Sequence, residues 1–161
     1  MRTRDEAWAA LDRGFKEFMD CLGQLTEEEL TAAPVAGKWT VKDVVAHVWS
    51  WLDEANQTVK AWQGPRPWQA DVAYDDAWNE AQVIGRASLP LITVVDGITG
   101  AHRLLMHRLE QTDEEMLATV GAAPWGQKMP LVDFFYAMAE HYTEHMRDLR
   151  AYQKHCLEGC D

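Results

Sequence analysis

The stretch PLVDFFYAMAEHYTEHMRDLRAYQKHC, residues 130–156, is the one around which the rest of the chain is organised. Its apolar and aromatic residues recur at three- and four-residue steps, the period of a helix that buries one face. Within it, His141 and His145 are four residues apart. On a helix their imidazoles share one face, on or beside the buried stripe, and can close on a single metal ion. The stretch therefore predicts a long helix that carries two metal ligands.

A third ligand has to come from another part of the chain, because two imidazoles alone do not complete a protein metal site. His47 is the best placed candidate, since it lies in a second strongly helical stretch, Thr40 to about Trp62, that opens with a capping-box pattern. Three histidines leave one coordination position open on a four-coordinate ion. The sequence therefore predicts a site formed by His47, His141 and His145 with an exchangeable fourth position.

Composition and charge limit the function classes. With 161 residues, of which 47% are hydrophobic, residues 1–161 fit a single domain with a substantial core. The formal net charge of −11 argues against a nucleic-acid partner and against an anionic membrane surface, because phosphate groups would repel the chain. No apolar run is long enough to span a membrane, and no signal peptide precedes the first amphipathic pattern, so we expect a cytoplasmic protein.

The other potential metal ligands have simpler interpretations. The cysteines form neither a disulfide framework nor a CxxC pair, which fits a reducing compartment. Cys156 and Cys160 have the spacing of ligands on a helix, but they lie at the end of the chain, where spare thiols are the simpler interpretation. The remaining histidines are expected on the surface or in the core rather than at the site: His102, His107 and His155.

Helical periodicity, caps and prolines predict the fold class. Between the second and third long helices, a loop at Gln63–Trp68 and a short helix from Tyr74 to Ala87 form a long crossover connection. The run Leu91–Val95 is β-branched enough for a strand, but the length of its periodic pattern favours a helix. We therefore predict an all-α four-helix bundle, with that short extra helix and no sheet, built from about Arg4–Leu22, Thr40–Trp62, Pro90–Glu110 and Pro130–Cys156.

Three smaller features complete the predicted fold. Short capped turns are predicted at Thr26–Glu29 and Thr112–Glu115, where glutamate follows threonine at capping-box spacing. In the first helix, the predicted inward face includes Trp8. The other tryptophans are expected in the core or at its rim, some of them walling an apolar pocket beside the metal: Trp39, Trp49, Trp51, Trp62, Trp68, Trp78 and Trp125.

Two of these segments resemble a known family. GKWTVKDVVAH, residues 37–47, resembles the signature of the DinB-like (DinB/YfiT) superfamily, and the His141-x-x-x-His145 pair resembles the second ligand segment of that family. The similarity extends over nearly the whole chain. The pair Trp78-Asn79 and the helix that follows at Leu89–Pro90 are similar to the ClbS/DfsB-like branch.

The resemblance implies a four-helix bundle, a divalent metal on the three histidines and a homodimer. By ligand type the metal would be zinc or nickel. The superfamily includes thiol-dependent transferases and isomerases, proteins that detoxify reactive small molecules, and members without known activity. The resemblance thus implies a small-molecule substrate without naming it.

Two classes of function follow from a three-histidine site. In a metal-dependent enzyme, the open position would activate water or a low-molecular-weight thiol cofactor, with Glu144 and Asp43 as the candidates for a general base or for orienting the ligands. The simpler interpretation of both acids is that they are solvated helix residues. An anionic thiol would find few anchors in an acidic chain, and the candidates are Lys38, Arg103 and Lys128.

The alternative is a binding or sequestering protein. In that case the tryptophan-lined cavity would hold a small apolar or electrophilic compound, and the metal would be structural or vestigial. The open metal position separates the two classes, because a fourth protein ligand would favour the structural role.

Overall fold

The computed structural model describes residues 2–32, 34–65 and 72–158. These residues form helices joined by short connections, together with two small strand pairs. In chain order the elements are α1 (Arg4–Gly23), α2 (Glu27–Ala32), β1 (Pro34–Ala36), β2 (Trp39–Thr40), α3 (Val41–Trp62), α4 (Asp76–Arg86), α5 (Leu91–Gln111), α6 (Glu114–Ala118), β3 (Val120–Ala122), β4 (Lys128–Pro130) and α7 (Leu131–Glu158).

The long helices α1, α3, α5 and α7 form a four-helix bundle, as the sequence predicts. Helix α1 packs against α7 and α5, and α3 packs against α5 and α7, so α1 and α3 occupy opposite corners. Helix α4 lies against α3 as the short extra helix of the crossover. The predicted all-α bundle is therefore confirmed, including the helical state of Leu91–Val95.

The inward faces of the four long helices merge into one apolar core. The largest fully buried side chains in this core are Tyr142, Phe18, Phe134, Phe135, Leu11, Leu52, Ile98, Leu105, Leu109, Leu131, Met146 and Leu149.

None of the helices in the described ranges combines the length and hydrophobicity needed to cross a membrane.

Helix α3, which carries His47, begins at the predicted capping box. The Thr40 hydroxyl accepts a hydrogen bond from the Asp43 backbone N–H at 3.2 Å, and the Asp43 carboxylate accepts one from the Thr40 N–H at 3.0 Å. Two backbone donors that have no partner inside the helix are thus satisfied. The cap fixes where the helix starts and therefore which residues face the bundle.

The bundle needs no sheet, as predicted, and the strand content of the described residues is marginal. Strands β1 and β2 pair antiparallel, and so do β3 and β4, each pair lying just before a long helix. Gly37 and Gly126 make the turns possible, because their φ angles of 57° and 87° lie where residues with a side chain are strained. Pairs this short carry little of the periodic signal that identifies strands in a sequence.

Two local predictions, one about a helix cap and one about the burial of a tryptophan, are wrong. Asp113, not Thr112, caps α6: its carboxylate accepts from the Met116 N–H, while the Thr112 hydroxyl donates to the Arg108 carbonyl at the end of α5. Trp8 is 37% exposed instead of buried, because its indole N–H reaches out to Glu110. The Thr112 hydroxyl is thus bonded to the preceding helix, and Trp8 is held at the surface by a residue of α5.

Some predicted features lie outside the described residues. The predicted loop at Gln63–Trp68 is described only up to residue 65, so Trp68 falls outside it. Cys160 is also outside, and the spacing of Cys156 and Cys160 stays untested.

The packing of α5 against α3 gives a stability prediction. A Cβ on Gly97 would lie 2.5 Å from the indole ring of Trp49, whereas one on Gly100, a turn away on the same helix, would meet nothing within 4 Å. We expect Gly97→Ala to lower the free energy of unfolding by about 1–3 kcal/mol. Gly100→Ala is the matched control and should raise it by about 0.5–1 kcal/mol. Urea unfolding of both variants measures the difference, and equal stability would contradict the packing described.

Candidate metal centre

The three predicted ligands converge where α3 faces α7. One ring nitrogen from each of His47, His141 and His145 lies within 4.8 Å of the other two. The Nε2 atoms of His141 and His145 are 3.0 Å apart, and the His47 ring centroid is 5.3 Å and 4.8 Å from theirs. Among the described residues this is the only cluster of three or more potential ligands with metal-site spacing.

The donor set fits a divalent cation. Two nitrogens bound at ~2.1 Å to one ion lie about 3.0 to 3.4 Å apart for angles between a right angle and the tetrahedral angle. The Nε2 atoms of His141 and His145 meet this condition at 3.0 Å. These two Nε2 atoms face each other, whereas the His145 Nδ1 that lacks a hydrogen-bond partner is the other nitrogen of its ring. A cation shared by the three rings would accept the Nε2 lone pairs of His141 and His145, of which at most one can accept a proton from the other ring.

The surroundings keep all three imidazoles neutral. Burial lowers the pKa of His47 to about 3, with a smaller effect from His145. Burial also holds the pKa of His141 well below its ordinary value, with His145 and His47 adding to the shift. The pKa of His145 is lowered by burial as well, against the opposing effect of Asp148. Neutral imidazole is the form that binds a metal, so the site needs no deprotonation at neutral pH.

The β1–β2 hairpin helps to fix the His47 ring. Its second strand carries Trp39, whose ring centroid is 4.9 Å from that of His47 at an interplanar angle of 39°. The Trp39 indole N–H donates to Glu80 at 3.2 Å, and Lys38 forms an ion pair with the same carboxylate at 2.9 Å. The hairpin is thus tied to α4 while its tryptophan packs on the imidazole.

The histidines open onto a cavity of about 650 Å³. The cavity reaches the surface, because Trp125 in its wall is 43% exposed. Helix α7 supplies half of its lining residues, with further residues from α3, the segment just before α4, α4 itself, the β3–β4 hairpin and the N-terminus. Its lining residues are Arg2, His47, Trp51, Tyr74, Asn79, Trp125, Gln127, Met129, Asp133, Tyr136, Ala137, Met138, Glu140, His141, Glu144 and His145.

Trp51 is the centre of an aromatic wall beside the histidines. Its ring centroid lies 6.1 Å from that of His141, 5.6 Å from Tyr74 and 6.2 Å from Trp125. Trp78 supports it from behind at 5.0 Å. The expectation that tryptophans would wall a pocket beside the ligands therefore agrees with the structure, with Trp51 and Trp125 in that role.

Some functional residues were not found by sequence reasoning. Arg2 is the only lysine or arginine among the cavity-lining residues that the structure describes, and its guanidinium is 3.0 Å from Asp133. The proposed anion anchors Lys38, Arg103 and Lys128 do not line the cavity. Lys38 is paired with Glu80, and α5, the helix of Arg103, contributes no lining residue. No local motif at the N-terminus indicates that Arg2 folds back onto α7.

The two candidate acids occupy different places. Glu144 lines the cavity, next to His145 on α7. Asp43 does not line it and caps α3 one turn before His47. The structure thus brings Glu144 to the site and gives Asp43 a role in holding the helix that carries a ligand.

The histidines set aside by the sequence argument are away from the site. His102 is 5% exposed and stacks on Phe15, with the two ring centroids 3.9 Å apart. The Nδ1 atom of His102 lies 2.9 Å from the Tyr142 hydroxyl oxygen. It is a core histidine with a partner, and burial lowers its pKa to about 4. His107 is exposed on α5.

Buried neutral histidines make the metal-free fold sensitive to acid. Between pH 7 and pH 5 the unfolded chain takes up protons on histidine, whereas His47 and His102 stay neutral in the fold, since their pKa values are about 3 and about 4. Unfolding free energy should therefore fall as the pH falls, by about 1–2 kcal/mol for each of these two side chains. Urea unfolding after metal removal measures it. The exposed-site variant His107→Gln should keep the full dependence, and a flat profile would contradict the burial.

The comparisons with known proteins agree with this fold. The sequence matches the family model of the DinB superfamily over residues 10–149. Among proteins with curated functions, none matches significantly. The fold is similar to a crystal structure of the mycothiol-dependent maleylpyruvate isomerase, with a TM-score of 0.80 and 12% identity, covering 92% of this chain and 61% of that chain.

Two further solved structures have similar folds. A histidine-to-alanine mutant of the same isomerase gives a TM-score of 0.79 at 11% identity, with 92% of this chain and 61% of that chain covered. An uncharacterised protein from Escherichia coli UTI89 gives a TM-score of 0.76 at 13% identity, with 96% of this chain and 94% of that chain covered. The chain thus spans about three fifths of the isomerase, and these low identities bear on the fold alone.

The predicted resemblance is confirmed at the level of the superfamily, while the narrower ClbS/DfsB-like branch stays a prediction. The matched region extends from α1 to α7 and includes all three histidines. The chain belongs to the DinB superfamily.

Proposed function

We propose that this chain is a metal-dependent enzyme that acts on a small molecule in the cavity between α3 and α7. One observation carries the proposal: three neutral imidazoles, with nitrogens within 4.8 Å of one another, line the wall of an accessible cavity of about 650 Å³. A purely structural site would have no need of such a cavity.

His47, His141 and His145 would hold the ion, and imidazole ligands suit zinc or nickel. When bound, a divalent cation with an open position would lower the pKa of a water or thiol placed there and so supply a nucleophile at neutral pH. The described lining offers no cysteine, and its acids Asp133, Glu140 and Glu144 are not part of the ligand cluster. The protein would thus supply three neutral ligands to the ion.

The two acids have separate proposed roles. Glu144 follows the turn of α7 that carries His141, precedes His145 and lines the cavity, and it would accept a proton from a group bound near the ligands. Asp43 acts as a positioning residue, since its cap fixes the start of the helix that presents His47. The structurally similar isomerase is described as mycothiol-dependent, which supports a low-molecular-weight thiol as the nucleophile. Thiol-dependent transfer or isomerisation, or hydrolytic detoxification, would all fit the site.

The aromatic wall also favours a second candidate, a binding or sequestering protein whose metal is structural. Trp51, Tyr74 and Trp125 give one wall of the cavity an aromatic face on which a ligand would bind without chemistry. A cytoplasmic homodimer, with no nucleic-acid or membrane partner, is part of the proposal in either case. Turnover of a reactive small molecule distinguishes the two functions.

Metal binding is tested by alanine variants of the ligands. Protein purified without an affinity tag should contain about one zinc or nickel ion per chain. His47→Ala, His141→Ala and His145→Ala should each lose tight binding, by roughly 100-fold or more in Kd, because two imidazoles hold an ion poorly. His107→Ala, on the surface of α5, is the matched control and should bind as the wild type does. Titration calorimetry with elemental analysis measures this, and equal binding in all four variants would exclude the site.

A further inference from the structure

Two amide side chains in the cavity wall are held in the same way by neighbouring indoles. The Trp51 N–H donates to the Asn79 Oδ1 at 2.9 Å, and the Trp125 N–H donates to the Gln127 Oε1 at 3.2 Å. An indole N–H can only donate, so the accepting atom in each amide must be the oxygen. The orientation of both amides is therefore fixed by their partners.

This arrangement leaves both NH₂ groups without a hydrogen-bond partner in the described part of the chain. Among the residues that the structure describes, neither the Asn79 nor the Gln127 side chain donates a hydrogen bond. Both residues line the cavity, and neither amide is among the buried polar groups without a partner. Each therefore offers donors at a surface where a ligand can reach them.

The indoles that hold the amides also shape a place for a flat group. The ring centroids of Trp51 and Trp125 are 6.2 Å apart at an interplanar angle of 60°, so the two rings form an aromatic corner. A planar group can stack on one ring and meet the other edge to face. The aromatic corner and the two NH₂ groups thus lie side by side, because each indole is hydrogen-bonded to one of the two amides.

The charges of the cavity select against an anion. Asp133, Glu140 and Glu144 all line it, and Arg2, the one guanidinium among the described lining residues, is already 3.0 Å from Asp133. With neutral histidines, the three carboxylates and this guanidinium leave the described lining with two excess negative charges, which repel a carboxylate ligand in the metal-free chain. A divalent cation on the histidines would balance this charge and leave no excess positive charge for an anion. The acceptor that the amides would bind is then an uncharged one.

We propose that the substrate is a neutral, planar molecule with a carbonyl or amide oxygen, which accepts hydrogen bonds from Asn79 and Gln127 while its flat part packs in the Trp51–Trp125 corner. The proposal rests on the proposed function in one respect, namely that this cavity receives the substrate. Asn79 and Gln127 are then specificity-determining residues, and they come from α4 and from the β3–β4 hairpin, outside the metal ligands.

Three probes with one phenyl ring test the class. Benzamide is a neutral acceptor, benzoate an anionic acceptor, and benzylammonium a cation without an acceptor. Each is titrated into the full chain after metal removal, because a bound cation would itself attract benzoate, and benzamide is also titrated into the zinc-loaded chain. The readout is the shift of the side-chain NH₂ signals of Asn79 and Gln127 in ¹⁵N-correlated NMR spectra. Each signal is identified by its absence from the spectrum of the variant Asn79→Asp or Gln127→Glu.

We expect benzamide to shift both signals in a saturable way, with Kd on the order of 1 mM, since so small a probe makes few contacts. Benzoate should bind at least about tenfold more weakly, because the carboxylates of the metal-free cavity repel it. Benzylammonium is attracted by those carboxylates but has no acceptor, so it should leave the two NH₂ signals unshifted. No saturable shift up to about 10 mM benzamide, equal binding of benzoate, or an equal shift of the NH₂ signals by benzylammonium would overturn the proposal.

The matched variants isolate the donors. Asn79→Asp and Gln127→Glu keep the oxygen that accepts from the indole but remove the NH₂ group, so each should weaken benzamide about three- to tenfold. Gln82→Glu makes the same charge change on α4 outside the cavity, where the Gln82 oxygen accepts from Arg86, and should leave benzamide binding unchanged. Unchanged binding in both cavity variants would contradict the role of the donors.

Elemental analysis of the same samples separates this proposal from the metal site. If the ion binds to the three histidines and benzamide does not bind, the substrate class is wrong and the metal site stands. If benzamide binds as expected and no ion does, the cavity selects its ligand as proposed while the metal-dependent function fails.

Discussion

The apolar core of the bundle holds three uncharged imidazoles from two helices with one nitrogen of each within 4.8 Å of the other two. Burial removes water from these rings and keeps them neutral, which costs the metal-free fold stability as the pH falls. A cation bound by the three nitrogens would add to stability, because it would bind the folded state alone. The site and the fold are therefore energetically linked, with the apolar core holding the ligands in place.

The packing around α7 shows how the ligands are held. Tyr142, adjacent to His141, is fully buried against α1, where a Cβ on Gly14 would come within 3.2 Å of its ring. Its hydroxyl contacts His102 on α5, so one residue of α7 ties together three helices. On the other side, Trp39 of the hairpin packs on His47. The ligand-bearing faces of α3 and α7 are thus positioned by contacts outside the site.

Features with a local cause could be predicted from the sequence, and those with a distant cause could not. The His141–His145 spacing and the Thr40 cap follow from helix geometry, and pairing them with His47 needed only the bundle. Arg2 reaches the cavity by folding back onto α7, and the chain carries no periodic or motif signal for that contact. Trp125 was among the tryptophans expected at the pocket, but Gln127 enters beside it through a hairpin too short to be recognised. The polar residues of the cavity wall therefore had to be read from the structure.

The exchangeable position at the three histidines is tested most directly by the visible spectrum of the cobalt-loaded chain before and after a thiol is added. Cobalt takes the place of zinc and reports the number and kind of its ligands. If His47, His141 and His145 leave one position open, 2-mercaptoethanol should shift the ligand-field bands and add a sulfur-to-cobalt charge-transfer band. A spectrum that neither the thiol nor azide changes would mean that the position is filled or sealed, and the site would then be structural.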